Sequence, residues 1–322
     1  VKRFSAPLAP AAGRRARAGA RGRPGVRALA SLLAGLVLVA LAPRAGAQDG
    51  DTLQRIAETG TIRLGHRESS VPFSYYDQRH QVVGYSQELM LRVLDTIKAE
   101  LKLPALTLQL VPVTSQNRMA LVQNGTVDLE CGSTTHNRER ERQVAFSVSI
   151  FVVELRMMVR RGSPVKDLAD LKGRRVVVTA GTTSERALLL HRERSAQDFT
   201  IVLARDHDTA FKVLESRQAE VFLLDDALLH GIRAKSARPE DWQVVGQPMA
   251  TEAYACMMRR GDAAFKRVVD RGLSQLMQSG EALRLYRRWF QRPIPPRNLN
   301  LDMPPSERLL QLYRQPEDRP LN

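Results

Sequence analysis

The chain has 322 residues, a formal net charge of +15 at pH 7, 26% charged and 5% aromatic residues, and two cysteines. Nine of its lysines and arginines but none of its acids lie in residues 1–47, which leaves +6 for the remainder. That modest excess has no basic stripe interleaved with aromatics, which argues against nucleic-acid binding, and the absence of CxxC or Cys/His spacing argues against a zinc or other metal site.

In chain order, arginines at 14, 15, 17, 21, 23 and 27 precede the uncharged apolar run 28–42 and the small-x-small triplet Ala45-Gly46-Ala47. This is the pattern of a secretory signal peptide over 1–47, with a mature start near Gln48. The run is shorter than the roughly 20 apolar residues a membrane helix needs. In an exported chain Cys131 and Cys256 are expected to form one disulfide, the alternative being two buried thiols.

Residues 53–60 read as a short helix stopped by glycine and 62–65 as a strand, with the polar stretch 66–70 at its end. Residues 73–76 and 82–85 read as a hairpin. The spacing of Leu89, Met90, Val93, Leu94 and Ile97 predicts a helix over 86–101. A strand at 106–113, a helix at 117–123 and a strand at 127–131 follow. The segment 127–142, VDLECGSTTHNRERER, carries an apolar strand into Gly132, then Ser133, Thr134 and Thr135, then arginines at a helix start. Such a loop at a strand's carboxyl end can hold a small anion through N–H groups, hydroxyls and a guanidinium. The plainer reading is an ordinary helix N-cap. The rhythm then repeats, with strands at 176–179, 199–204 and 221–224. Each strand runs into polar residues and a helix, the second helix spanning 209–216. A strand at 255–258, helices at 263–279 and 281–290, and a proline-rich tail from 293 complete the chain. The fold class expected is α/β, with two units whose polar residues gather at strand ends, where ligands bind.

The stretches GHRESSVPFSYY (65–76), VVGYSQE (82–88), TSQNR (114–118), LVQNGTVDLECGSTT (121–135), GTTSE (181–185), LLDDALL (223–229) and PIPPRNLN (293–300) resemble the periplasmic glutamate/aspartate-binding proteins of bacterial ABC importers, within solute-binding protein family 3. The resemblance covers roughly 52–322 in collinear order. It implies a type II periplasmic-binding-protein-like fold of two lobes joined by two β hinges. Lobe 1 would hold 52–150 plus 255–292 and contain the disulfide. Lobe 2 would hold 152–252, and the tail 293–322 would pack on the surface.

An acidic amino acid carries two carboxylates and one ammonium, so its site needs cations at both ends and an anion between. By resemblance Arg140 would hold the α-carboxylate, while Arg67 and Arg118, with Ser115, would meet the side-chain carboxylate. Ser133 and Thr135 would contact the ammonium or the α-carboxylate, and Thr183 would sit at a helix N-terminus with Thr182 contributing backbone. Asp225 would pair with the ammonium, a one-residue shift exchanging it with Asp226. His207 would lie near the distal carboxylate. The function implied is capture of L-glutamate or L-aspartate in the periplasm and delivery to a membrane permease. The chain lacks GxxxxGK[ST], so ATP hydrolysis would belong to a separate ATPase. No cofactor and no catalytic residue are expected, and the protein would be a monomer. His207 and Glu68 are the only acid–base candidates for an enzyme on this scaffold.

Overall fold

The computed structural model describes residues 52–298 and 300–321; the expected signal peptide lies outside them. Helix α1 (Thr52–Thr59) leads into β1 (Thr61–His66). A small antiparallel sheet follows, β2 (Ser69–Ser70), β3 (Ser74–Tyr76) and β4 (Val82–Val83), then α2 (Tyr85–Leu101), β5 (Thr107–Pro112), α3 (Arg118–Gln123), β6 (Leu129–Glu130) and the single turn α4 (Arg138–Glu141). The chain then enters β7 (Val144–Arg160). Beyond it come β8 (Arg175–Thr179), α5 (Thr183–Ser195), β9 (Thr200–Ala204), α6 (His207–Glu215), β10 (Val221–Asp225), α7 (Asp226–Lys235) and β11 (Trp242–Val245). The return strand β12 (Thr251–Arg259) precedes α8 (Ala263–Gln278), α9 (Glu281–Phe290) and α10 (Glu307–Arg314).

The large sheet runs β5-β1-β6-β12-β7-β10-β8-β9, with β11 also on β7. It has two halves, each with a parallel set. In one, β1 pairs parallel with β5 and β6; in the other, β8 pairs parallel with β9 and β10. Parallel neighbours need crossovers, which the intervening helices supply. Strands β8 and β10 are almost continuously apolar and buried, as parallel strands covered on both faces must be. Helix α2 buries Leu89, Met90, Val93, Leu94 and Ile97 along one stripe.

Two antiparallel strands join the halves. The early part of β7 pairs with β12 from Val144 to Glu154, and its later part pairs with β10 and β11. Aromatic rings pack about this crossing. Phe151 of β7 lies 4.8 Å from Phe73 and 5.0 Å from Phe290, centroid to centroid, and Tyr254 of β12 lies 5.1 Å from Phe73. Cys131, just past β6, is disulfide-bonded to Cys256 of β12 within the first half.

Several elements differ from the sequence expectations. The strand expected over 127–131 pairs only through Leu129–Glu130. The helix after the hydroxyl loop is one turn, capped by the Asn137 side chain on the Arg140 N–H at 2.9 Å, because the β-branched run from Val144 takes over. Helix α6 starts at His207, two residues early, with Asp206 as its cap accepting from the Thr209 N–H at 2.7 Å. The proline-rich tail contains α10, capped by Ser306, and is held by Tyr75 Oη donating to the Pro295 carbonyl at 2.8 Å and by the Ser149 N–H donating to the Glu317 carbonyl at 2.8 Å.

Candidate functional site

The carboxyl ends of six strands face a common space between the two sheet halves. β1 delivers Arg67, β5 the loop 114–118, β6 the loop 132–135, β8 the turn 181–183, β9 His207, and β10 Asp225. This is where an open α/β sheet binds a ligand.

Three arginines are buried here. Arg67 is 2% exposed and donates from Nη2 to Ser115 Oγ at 3.0 Å. Arg118, also 2% exposed, donates from Nη1 to the Ser133 carbonyl at 3.1 Å and to Thr134 Oγ1. Arg140 is 8% exposed and donates to the Thr135 carbonyl at 2.9 Å. Its Nη2 reaches the Gly181 carbonyl at 3.4 Å, across to the other sheet half. Burial pushes Arg67 down to about 9, helped by the charge of Arg118, and pushes Arg140 down to about 10, again with Arg118 opposing it. Arg118 is lowered by burial too. All three remain cations at neutral pH. Buried charge of this density is costly unless paired, and arginine forks are built for carboxylates.

Three buried carboxylates stand among them. Glu130 accepts from Thr134 Oγ1 at 2.7 Å and lies close enough to Arg67 and Arg118 to favour their charged forms. Asp225 accepts from Tyr254 Oη at 2.5 Å, while its Oδ1 is buried with no partner among the described residues. Burial first, then Glu252, hold the Asp225 carboxyl well above the ordinary range. Asp226 faces elsewhere: its Oδ1 accepts from the N–H groups of Glu154 on β7 and Ala227. Glu252 of β12 accepts from Thr135 Oγ1 at 2.6 Å and Thr183 Oγ1 at 2.8 Å.

The site has a direction. His207 bonds through Nδ1 to Thr179 Oγ1 at 2.8 Å, and its Nε2 is buried and unpartnered among the described residues. Burial, then Arg67 and Arg118, hold it well below its usual value, so it is a neutral imidazole at pH 7. Arg67 and Arg118 act on His207, Asp225 and Glu252 act on Arg140, and Arg118, which feels both of those acids too, stands between the two groups. Ser133 bonds Ser70 Oγ at 3.2 Å, at the first half's edge of the space. Thr182 is occupied as a cap: its hydroxyl accepts from the Glu185 N–H and donates to the Thr179 carbonyl at 2.6 Å.

The fold thus gathers Arg67, Ser115, Arg118, Ser133, Thr135, Arg140, Thr183, His207 and Asp225 at the strand ends in several adjoining hydrogen-bonded groups. It adds Glu130, Glu252 and Tyr254, which the sequence reading did not single out, and Thr134, which it named only as one of the loop hydroxyls. Glu130 carried a signal, an acid inside the apolar strand VDLEC. Glu252 had none beyond its place before a strand. Beside the site, His136 stacks on Phe146 at 4.4 Å and burial lowers its pKa, so it adds no positive charge there.

Residues 62–292 match the bacterial extracellular solute-binding proteins, family 3. A glutamate/aspartate import solute-binding protein of Salmonella typhimurium is 49% identical over 275 residues, covering 85% of this chain and 90% of its own. The L-glutamate/L-aspartate-binding protein of Pseudomonas aeruginosa is 48% identical over 297 residues, covering 91% and 98%. Among solved structures, a mutant of ArgBP from T. maritima gives a TM-score of 0.66 at 23% identity, over 74% of this chain and 99% of that one, a likeness of fold.

Proposed function

The chain belongs to the bacterial extracellular solute-binding proteins, family 3, and we propose that it captures L-glutamate or L-aspartate in the periplasm and hands it to the permease of an ABC importer. Its fold is the two-lobed type II architecture. The observation that carries the reading is the pairing of three buried arginines with a buried, half-unpartnered Asp225. Arg140 grips the α-carboxylate, and the free oxygen of Asp225 accepts from the ammonium. Arg67, Arg118 and Ser115 meet the side-chain carboxylate, with the neutral His207 beside them. Ser133, Thr135 and Thr183 line the amino-acid end. A neutral glutamine side chain would leave the two distal guanidinium groups with mainly Glu130 to balance them, a costly excess of buried charge.

Ligand settles on one lobe, and closure adds the contacts of the other; the difference in affinity holds the closed form. The hinges are the crossings of β7 and β12, with lobe 1 at 52–150 plus 255–292 and lobe 2 at 152–252. The work is binding, not chemistry, and transport is powered by a separate ATPase.

Calorimetric titration with glutamate, aspartate, glutamine and asparagine tests this. The acidic pair should bind and the amides should not. Arg118→Ala should cost far more for glutamate than for any residual glutamine binding, whereas Arg140→Ala should weaken every amino acid alike. Equal losses from Arg118→Ala would remove its distal role, and indifference of the unaltered protein to both acids would end the reading.

A further inference from the structure

Glu252 lies on β12 where the chain passes between the sheet halves, and it is 2% exposed. Its Oε2 takes hydrogen bonds from two hydroxyls that come from opposite sides. Thr135 follows β6 in the first half, and Thr183 opens α5 in the second. The two hydroxyl oxygens are themselves 3.3 Å apart. A hydroxyl owns one proton and two lone pairs, and a carboxylate has no proton to return. Both threonine protons are therefore committed to Glu252, and each threonine turns only lone pairs toward a ligand. Neither can donate to an α-carboxylate. Asp225 adds a further acceptor, its free Oδ1. This end of the site is rich in acceptors, and Arg140 is its cation.

We propose that Glu252 is a positioning residue that makes an α-ammonium group obligatory in the ligand: by holding both threonine protons it presents Thr135 and Thr183 as paired acceptors for a primary ammonium, and it does so only when the two lobes meet. This deepens the function proposed above and rests on it. A dicarboxylate of the same length without the amine, such as glutarate, would face lone pairs with nothing to offer them.

The test compares L-glutamate with glutarate, the latter by competition, on the unaltered protein and on Glu252→Met. Methionine keeps the length but offers no oxygen acceptor, so both threonines are freed to donate. Glu252→Met should weaken L-glutamate by about 30-fold or more, the scale of a lost charge-assisted network, and glutarate by far less. Glu252→Gln, whose one carbonyl oxygen can take both hydroxyl bonds in the place of Oε2, should recover part of the discrimination. A double-mutant cycle gives a second readout that does not depend on glutarate. Thr183→Val should weaken L-glutamate in the unaltered background, yet add less than about twofold on top of Glu252→Met. Additive losses, or a loss of L-glutamate affinity below about threefold from Glu252→Met, would overturn the assignment. If the unaltered protein bound neither acidic amino acid, the ligand reading itself would fall; if it bound them and Glu252→Met were neutral, only this role would fall.

Discussion

Asp225 has one carboxylate oxygen bonded by Tyr254 Oη and the other buried without a partner among the described residues, and its carboxyl is held well above the usual range by burial and by Glu252. The folded protein therefore keeps a proton that the unfolded chain would have lost. By linkage, stability of the ligand-free protein falls as pH rises from the ordinary carboxylate range to the raised folded value, and the full cost applies above it. An arriving ammonium reverses this by favouring the ionised form, so binding expels a proton. Glutamate affinity should then drop as pH is lowered through the raised value, by up to about tenfold per pH unit for one linked proton. Calorimetry in buffers of different ionisation enthalpy reads the proton directly. Asp225→Asn should melt at a higher temperature than the parent without ligand at pH 8, and should lose about 100-fold or more in glutamate affinity, the scale of breaking a buried charge pair. A variant that binds normally, or that is less stable when empty, would contradict this account of the residue.

At the scale of elements, the Cys131–Cys256 bond ties the end of β6 to β12 and closes a separation of 125 residues. In the chain-entropy model a loop of that length contributes on the order of 4–5 kcal/mol. Both cysteines belong to one sheet half, so the bond does not span the space between the halves. Reduction should lower the melting temperature markedly while leaving glutamate affinity within about twofold at temperatures where the protein stays folded, a separation of folding from binding. A loss of affinity without a loss of stability would place the bond in the binding motion instead. The elements also differ in how legible they were. Helix α2 and strands β1 and β8 were readable because each buries one periodic face or a continuous apolar run, whereas β5 was readable by alternation alone, since as an edge strand it leaves Leu108 and Leu110 exposed. Strand β7 was not, because its 17 residues pair with β12 first and with β10 and β11 later, so no single alternation runs its length. Glu252 was opaque for a related reason: its partners Thr135 and Thr183 stand 117 and 69 residues away. Arg67, Arg118 and Arg140 stood out only through the motifs around them, since an arginine in isolation is most often a surface charge.

Across the whole molecule, the two halves also meet beyond the hinge strands. Arg140 reaches the Gly181 carbonyl, the hydroxyls of Thr135 and Thr183 adjoin, and the exposed Arg186 and Glu139 pair at the rim. The rim pair is solvated and contributes little, about 0–1 kcal/mol. Two glycines mark close approaches: an added Cβ at Gly231 would lie 2.1 Å from the Val71 carbonyl oxygen, and at Gly181, beside the site, where the backbone has φ +77°, it would lie 2.9 Å from the Cα and N of Gln116. Those are backbone atoms of the loop that also carries Ser115 and Arg118, so they cannot swing aside as a side chain would. Gly181→Ala should therefore prop the halves apart. Part of its cost is local, since a left-handed alanine is disfavoured by about 1 kcal/mol. That part falls on the empty protein and shows in its melting temperature. The remainder falls only on the closed form, and should appear as a further loss of about tenfold in glutamate affinity, equivalent to about 1.4 kcal/mol. X-ray scattering distinguishes the two: glutamate should contract the parent protein, and contract the variant less at matched saturation. Equal contraction with unchanged affinity would mean that the contact at Gly181 persists in both forms and that closure is governed elsewhere.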